Sequence, residues 1–167
     1  MAEINLIDDL TKYFEGLCRK HAWVLHSDTK KHFVRLDKEE QLEVGKTIHY
    51  PAVSLESLTC NYPMNEDSLT KGRHIEMMFL DRVSGSGDFV NIEKVKAKME
   101  TIAEDFLRKI RKDRKDRKTY PILKAMAMSE VELDYVEGVA SCLYGVILSF
   151  NISMPFKEDI EEDHFTE

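Results

Sequence analysis

A chain of 167 residues with 43% hydrophobic and 33% charged residues has material for one folded core and lacks the composition of a disordered chain. Its formal net charge of -7 argues against a general nucleic-acid binder, and no apolar run approaches the ~18 residues of a membrane span. The opening MAEINLIDDL has neither the basic region nor the apolar core of a secretory leader. The isolated cysteines Cys18, Cys60 and Cys142 are odd in number and lie in or beside apolar patterns. They fit a reducing, intracellular setting and a role as small core residues.

Apolar residues at Ile4, Ile7, Leu10, Phe14, Leu17 and Cys18 recur with helical spacing and predict a helix over Ile4 to Lys20. Ala22 to His26 and Lys31 to Leu36, with polar Ser27 to Lys30 between them, predict a β-hairpin. Trp23 opens it as a core or partly buried residue. Asp37 to Tyr50 reads as charged and irregular, and Tyr50-Pro51 forces an extended approach to a strand over Ala52 to Asn61. Tyr62 to Gly72 reads as a long polar loop, and Arg73 to Arg82 as a strand with Ile75, Met77 and Phe79 on one face.

Asn91, read as an N-cap, starts the best helix, which runs to about Lys112. Its apolar stripe is Ile92, Val95, Met99, Ile102, Phe106 and Ile110. Ile122 to Ser129 reads as a connection and Glu130 to Val136 as a strand that turns at Glu137-Gly138. From Cys142 to Phe156 every second residue is apolar, which predicts one long strand, central in its sheet or crossing from the sheet to a subunit contact, with regular pairing ending at Pro155. The fold class is therefore α+β: an antiparallel sheet of about six strands with two main helices packed on one face. Residues 1–156 form a single domain and residues 157–167 an acidic C-terminal tail.

Catalytic signatures are missing: there is no H-E-x-x-H, C-x-x-C, G-x-S-x-G or G-x-G-x-x-G. His26 and His32 flank a turn, but a metal there needs further ligands, so they read as surface histidines. His74-Ile75-Glu76 resembles the start of a zinc deaminase signature without the Pro-Cys-x-x-Cys that completes it. Asp8 and Asp9 point to different sides of their helix and cannot act as an acid–base pair. Asn151-Ile152-Ser153 sits in a strand and is a chance glycosylation match. The chain reads as a non-enzyme with no metal or cofactor.

The sharpest local feature is a run of eight basic residues broken by two acidic ones: Arg108, Lys109, Arg111, Lys112, Arg114, Lys115, Arg117 and Lys118. It admits three readings. One is a solvated helix end placed favourably on the helix dipole. Another is a contact to an acidic surface of another copy or another protein, such as the tail residues Glu158, Asp159, Glu161 and Glu162. The third is a phosphate-contacting patch, although no aromatic residues interleave for base stacking.

Tyr50-Pro51-Ala52-Val53 opening a strand, the mid-chain strand HIEMMFLD (His74 to Asp81) and the closing LYGVILSFNISMPF (Leu143 to Phe156) together resemble the tail-terminator and neck proteins of tailed bacteriophages, the minor tail protein U-like group. The likeness is one of element order along nearly the whole chain and rests on no invariant motif. It implies a virion structural protein assembled in the host cytoplasm. The homo-oligomeric ring, usually of six subunits, caps the tail tube, meets the head connector and lets DNA pass. A ring needs sides of different character, which the basic helix end and the acidic tail or strand face would supply. Under this resemblance Glu130, Glu132 and Asp134 become candidates for an acidic lumen. The alternative is a nucleic-acid-binding accessory protein using the basic segment 108–118.

Overall fold

The computed structural model describes residues 6–35, 48–56, 59–62, 64–65, 68–84, 87–116, 119, 123, 127–139 and 142–155. The elements in chain order are α1 (Leu6–Lys20), β1 (Phe33–Val34), β2 (Ala52–Leu55), β3 (Thr59–Asn61), β4 (Met64–Asn65), β5 (Ser68–Arg82), α2 (Phe89–Asp113), β6 (Ala127–Val139) and β7 (Leu143–Pro155). The main sheet path is β1-β2-β5-β7-β6, with β3 and β4 also paired to β5. All pairings are antiparallel except β1 with β2. This is an α+β fold, with seven strands among the described residues.

β7 lies between β5 and β6. It pairs with β5 from Thr70↔Pro155 to Arg82↔Leu143. Ile75, Met77 and Phe79 of β5 and Val146, Leu148, Phe150 and Ile152 of β7 all belong to the main core with Phe14 of α1 and Phe106 of α2. The helices thus share one face of the sheet. The two helices run antiparallel, since Tyr13 meets Asp113 and His21 meets Asp105. On the other face Met78, Leu80, Val136 and Leu143 form a second buried cluster at one end. Gly145 lets β7 cross Phe79 closely: an added Cβ would stand 1.8 Å from the Phe79 carbonyl oxygen.

Several boundaries depart from the sequence reading. The first arm of the expected hairpin is not a strand. His21 N–H donates to Leu17 O and His26 N–H to Cys18 O, so residues 21–26 close the end of α1, and Val24 enters the core. What remains is β1, two residues long and parallel to β2. The expected loop Tyr62 to Gly72 contains β4 and the start of β5, paired Met64↔Leu69 and Asn65↔Ser68. α2 begins earlier than Asn91, because Asp88 is its N-cap and accepts from Asn91 N–H at 3.1 Å. β6 begins inside the expected connection and continues through Glu137-Gly138, with register shifts between Ser129 and Glu132 and between Val136 and Val139. An extra residue in each place is absorbed as a bulge, so no turn is needed there. Of the cysteines, Cys18 is buried, Cys142 half-buried and Cys60 exposed, so only Cys18 is a true core residue. Trp23 is half exposed.

Candidate functional site

The sheet face away from the helices carries a cluster of polar side chains. In register, Glu76 of β5 lies beside Ser149 of β7 and that beside Glu132 of β6; one step along, Met78, Ile147 and Asp134 form the next row. Even-numbered β5 positions and, between the two bulges of β6, its even-numbered positions Glu132 to Val136 share this face because strand side chains alternate. Glu132 and Asp134 are exposed and form no ion pair among the described residues. Glu130 sits at the bulge with φ 52, a left-handed backbone, and its carboxylate accepts a hydrogen bond from the Asn151 Nδ2 amide.

That bond fixes the rest of the chain of contacts. With Nδ2 given to Glu130, the Asn151 oxygen accepts from His74 Nδ1 at 2.8 Å. His74 Nδ1 is therefore the donor, and its Nε2 stands 4.0 Å from the Glu76 carboxylate. The sequence argument found Glu130, Glu132 and Asp134 but missed Glu76, His74 and Asn151. The available signal was the i, i+2 spacing of His74 and Glu76, the polar partner of the Ile75–Met77–Phe79 face.

The basic segment is less free than its composition suggests. Arg108 pairs with Glu104 and with Asp105, and Lys109 with Asp113. Asp113 is buried and also accepts from the Tyr13 hydroxyl at 3.0 Å, so it ties α2 to α1. Arg111, Lys112 and Lys115 are exposed at the end of α2, and Arg114 is the C-cap residue. Arg117, Lys118 and the tail residues Glu158, Asp159, Glu161 and Glu162 lie outside the described residues.

The expected surface histidines are in fact buried and structural. His26 Nδ1 accepts from the backbone N–H groups of His32 and Phe33, both at 3.0 Å, and its Nε2 lies 3.3 Å from Glu15. Burial, with Arg19 nearby, lowers the His26 pKa. With both ring nitrogens engaged, His26 is not poised to shuttle a proton. His32 Nδ1 is bonded to the Pro51 carbonyl at 2.8 Å. An open groove of about 520 Å³ lies beside His26. Arg19 crosses it and binds Glu15 at 2.7 Å and Asp28 at 2.6 Å, so its charges are largely used within the groove. Burial raises the pKa of Cys18, which leaves it a thiol rather than a nucleophilic thiolate.

Among the described residues no three His, Cys, Asp or Glu side chains come together as a metal site. No described helix is long and apolar enough to cross a membrane. No protein-family model matches the chain, and no curated protein matches it in sequence.

Proposed function

We propose that this chain is a structural subunit of a tailed-phage neck or tail end, of the tail-terminator kind. It assembles with its own copies into a ring, with six-fold symmetry as the working geometry, between tail tube and head connector. The helix-free face of the sheet turns to the passage. The observation that carries the reading is the exposed carboxylates of Glu132 and Asp134, without an ion pair among the described residues and aligned with Glu76 and Glu130 on the face away from the helices. The exposed cations Arg111, Lys112 and Lys115 belong to the helix layer instead. A lumen of this sign repels phosphates, so DNA slides without being held.

The test is a double reversal, Glu132→Lys with Asp134→Lys, followed by light scattering and DNA retention at two salt concentrations. The expected outcome is an unchanged assembly mass and a new, salt-sensitive affinity for DNA. Loss of assembly would place these carboxylates in a subunit contact and overturn the lumen. A wild-type protein that binds DNA and loses it on Arg111→Glu with Lys112→Glu would overturn the ring reading in favour of a nucleic-acid-binding accessory protein.

A further inference from the structure

Arg73 of β5 is a buried cation. It is 8% exposed, its Nε has no hydrogen-bond acceptor, and it forms no ion pair among the described residues. A guanidinium carries five N–H donors, and a buried charge left unpaired is among the most costly groups a fold can hold. Among the described residues nothing offsets that cost. Side chains alternate along a strand, so Arg73 shares the helix-side face with Ile75, Met77 and Phe79 and continues their core. Lys71, two positions back on the same face, is half-buried. Its Nζ stands 5.5 Å over the Tyr62 ring, and no described carboxylate pairs with it. The two cations form a short positive rail near the start of β5.

The strand beside this rail leads into the acidic tail. β7 pairs Ile152 with Arg73 and Met154 with Lys71, and its last pair is Pro155 with Thr70. The chain beyond it, 156–167, holds Glu158, Asp159, Glu161, Glu162, Asp163 and Glu167 against one lysine, Lys157. From the Pro155 rung back to the Arg73 rung is about 10 Å of strand. Glu161 lies six positions past Pro155, up to about 20 Å of chain, so it can turn and return to Arg73. Glu158 and Asp159 need less chain to return to Lys71. The exposed cations Arg111, Lys112 and Lys115 are hydrated at the end of α2, where an ion pair adds little. A carboxylate on Arg73 instead removes an unpaired buried charge.

We propose that the acidic tail folds back on its own sheet, with the carboxylate of Glu161 or Glu162 on the Arg73 guanidinium and that of Glu158 or Asp159 on Lys71. A planar guanidinium takes a carboxylate through two parallel N–H···O bonds, which suits Arg73 as the anchor and Lys71 as the outer charge. A tail held there is not available to Arg111, Lys112 and Lys115 of another copy. Contact between copies through the tail then requires its release, which salt or a competing basic surface favours. The inference does not depend on the ring reading.

The experiment follows amide hydrogen exchange of residues 157–163 in the full chain. Wild type is compared with Arg73→Met, which keeps the buried stem and removes the charge. The third protein carries Glu158→Gln, Asp159→Asn, Glu161→Gln and Glu162→Gln. The wild-type tail should exchange about tenfold more slowly than the tail of either variant. Combining the two sets should change nothing further, because each removes one side of the same pairing. The tail variant leaves the sheet sequence untouched, so it decides the matter should Arg73→Met not fold. Tail amides that exchange at one rate in wild type and variants overturn the proposal. Protection that grows with protein concentration assigns the tail to another copy and overturns the fold-back. Protection lost on Arg111→Glu with Lys112→Glu, and kept in Arg73→Met, moves the tail to the end of α2 and overturns it as well.

Discussion

The hydroxyl of Tyr13 on α1 donates to the buried carboxylate of Asp113 at the end of α2, at 3.0 Å and one hundred positions away in the chain. Lys109 supplies a second partner to the same carboxylate from one turn back. This pair is the polar closure of the helix layer, at the end opposite to where His21 packs on Phe106.

Tyr13→Phe should therefore destabilise the fold by about 1–2 kcal/mol, because a buried carboxylate loses one donor. Asp113→Ala should cost more, since it leaves both Tyr13 and Lys109 without their acceptor. Urea unfolding should show lower midpoints with unchanged slopes. Equal stability in all three proteins would remove Asp113 from any structural role.

Gly145→Ala should be among the most damaging single changes, costing about 3 kcal/mol or more. The new Cβ meets the backbone of Phe79, which β2 and β7 hold in the middle of the sheet. Gly72→Ala makes the control. Its Cβ would stand 2.0 Å from Asn61 Oδ1, the end of an exposed side chain that can swing away. Comparable losses in the two variants, read by thermal melting, would contradict this reading of the two contacts.

His26 predicts a pH dependence with a definite sign. Burial lowers its folded pKa, so the unfolded chain binds the proton more readily. Stability from neutral His26 is fully present above the unfolded value of about 6.5 and is lost as pH falls below it, until the folded state protonates too. His26→Leu should remove this slope and cost about 1–3 kcal/mol, because the N–H groups of His32 and Phe33 lose their acceptor. A variant with the wild-type slope between pH 5 and pH 6.5 would assign it to another group.

The thiols should separate by burial. Exposed Cys60 should react with a disulfide reagent in the folded protein, half-buried Cys142 more slowly, and buried Cys18 only on unfolding. Fast modification of all three would mean that α1 leaves the sheet readily. The same distinction limits what composition can say: three cysteines in similar apolar patterns occupy three levels of burial, because burial depends on what packs over a position.

By itself the sequence determined the α+β class, the two amphipathic helices and the long alternating strand that became β7. These follow from local periodicity, since 3.6-residue and two-residue repeats each select one backbone. It also marked Glu130, Glu132 and Asp134 as one acidic set. Only the tertiary structure decided the parallel pairing of β1 with β2, the drawing of residues 21–26 into the closure of α1, and the burial of His26 and His32. It alone brought Glu76, His74 and Asn151 into the acidic face and consumed Arg108, Lys109 and Asp113 in local pairs. Apart from the closure of α1 and from the pairs of Arg108 and Lys109, which join neighbours three or four positions apart on one helix, each of these is a contact between residues far apart in the chain or on facing elements. Such a contact has no periodic signal, because it is chosen by packing and hydrogen-bond satisfaction after the helices and strands have formed.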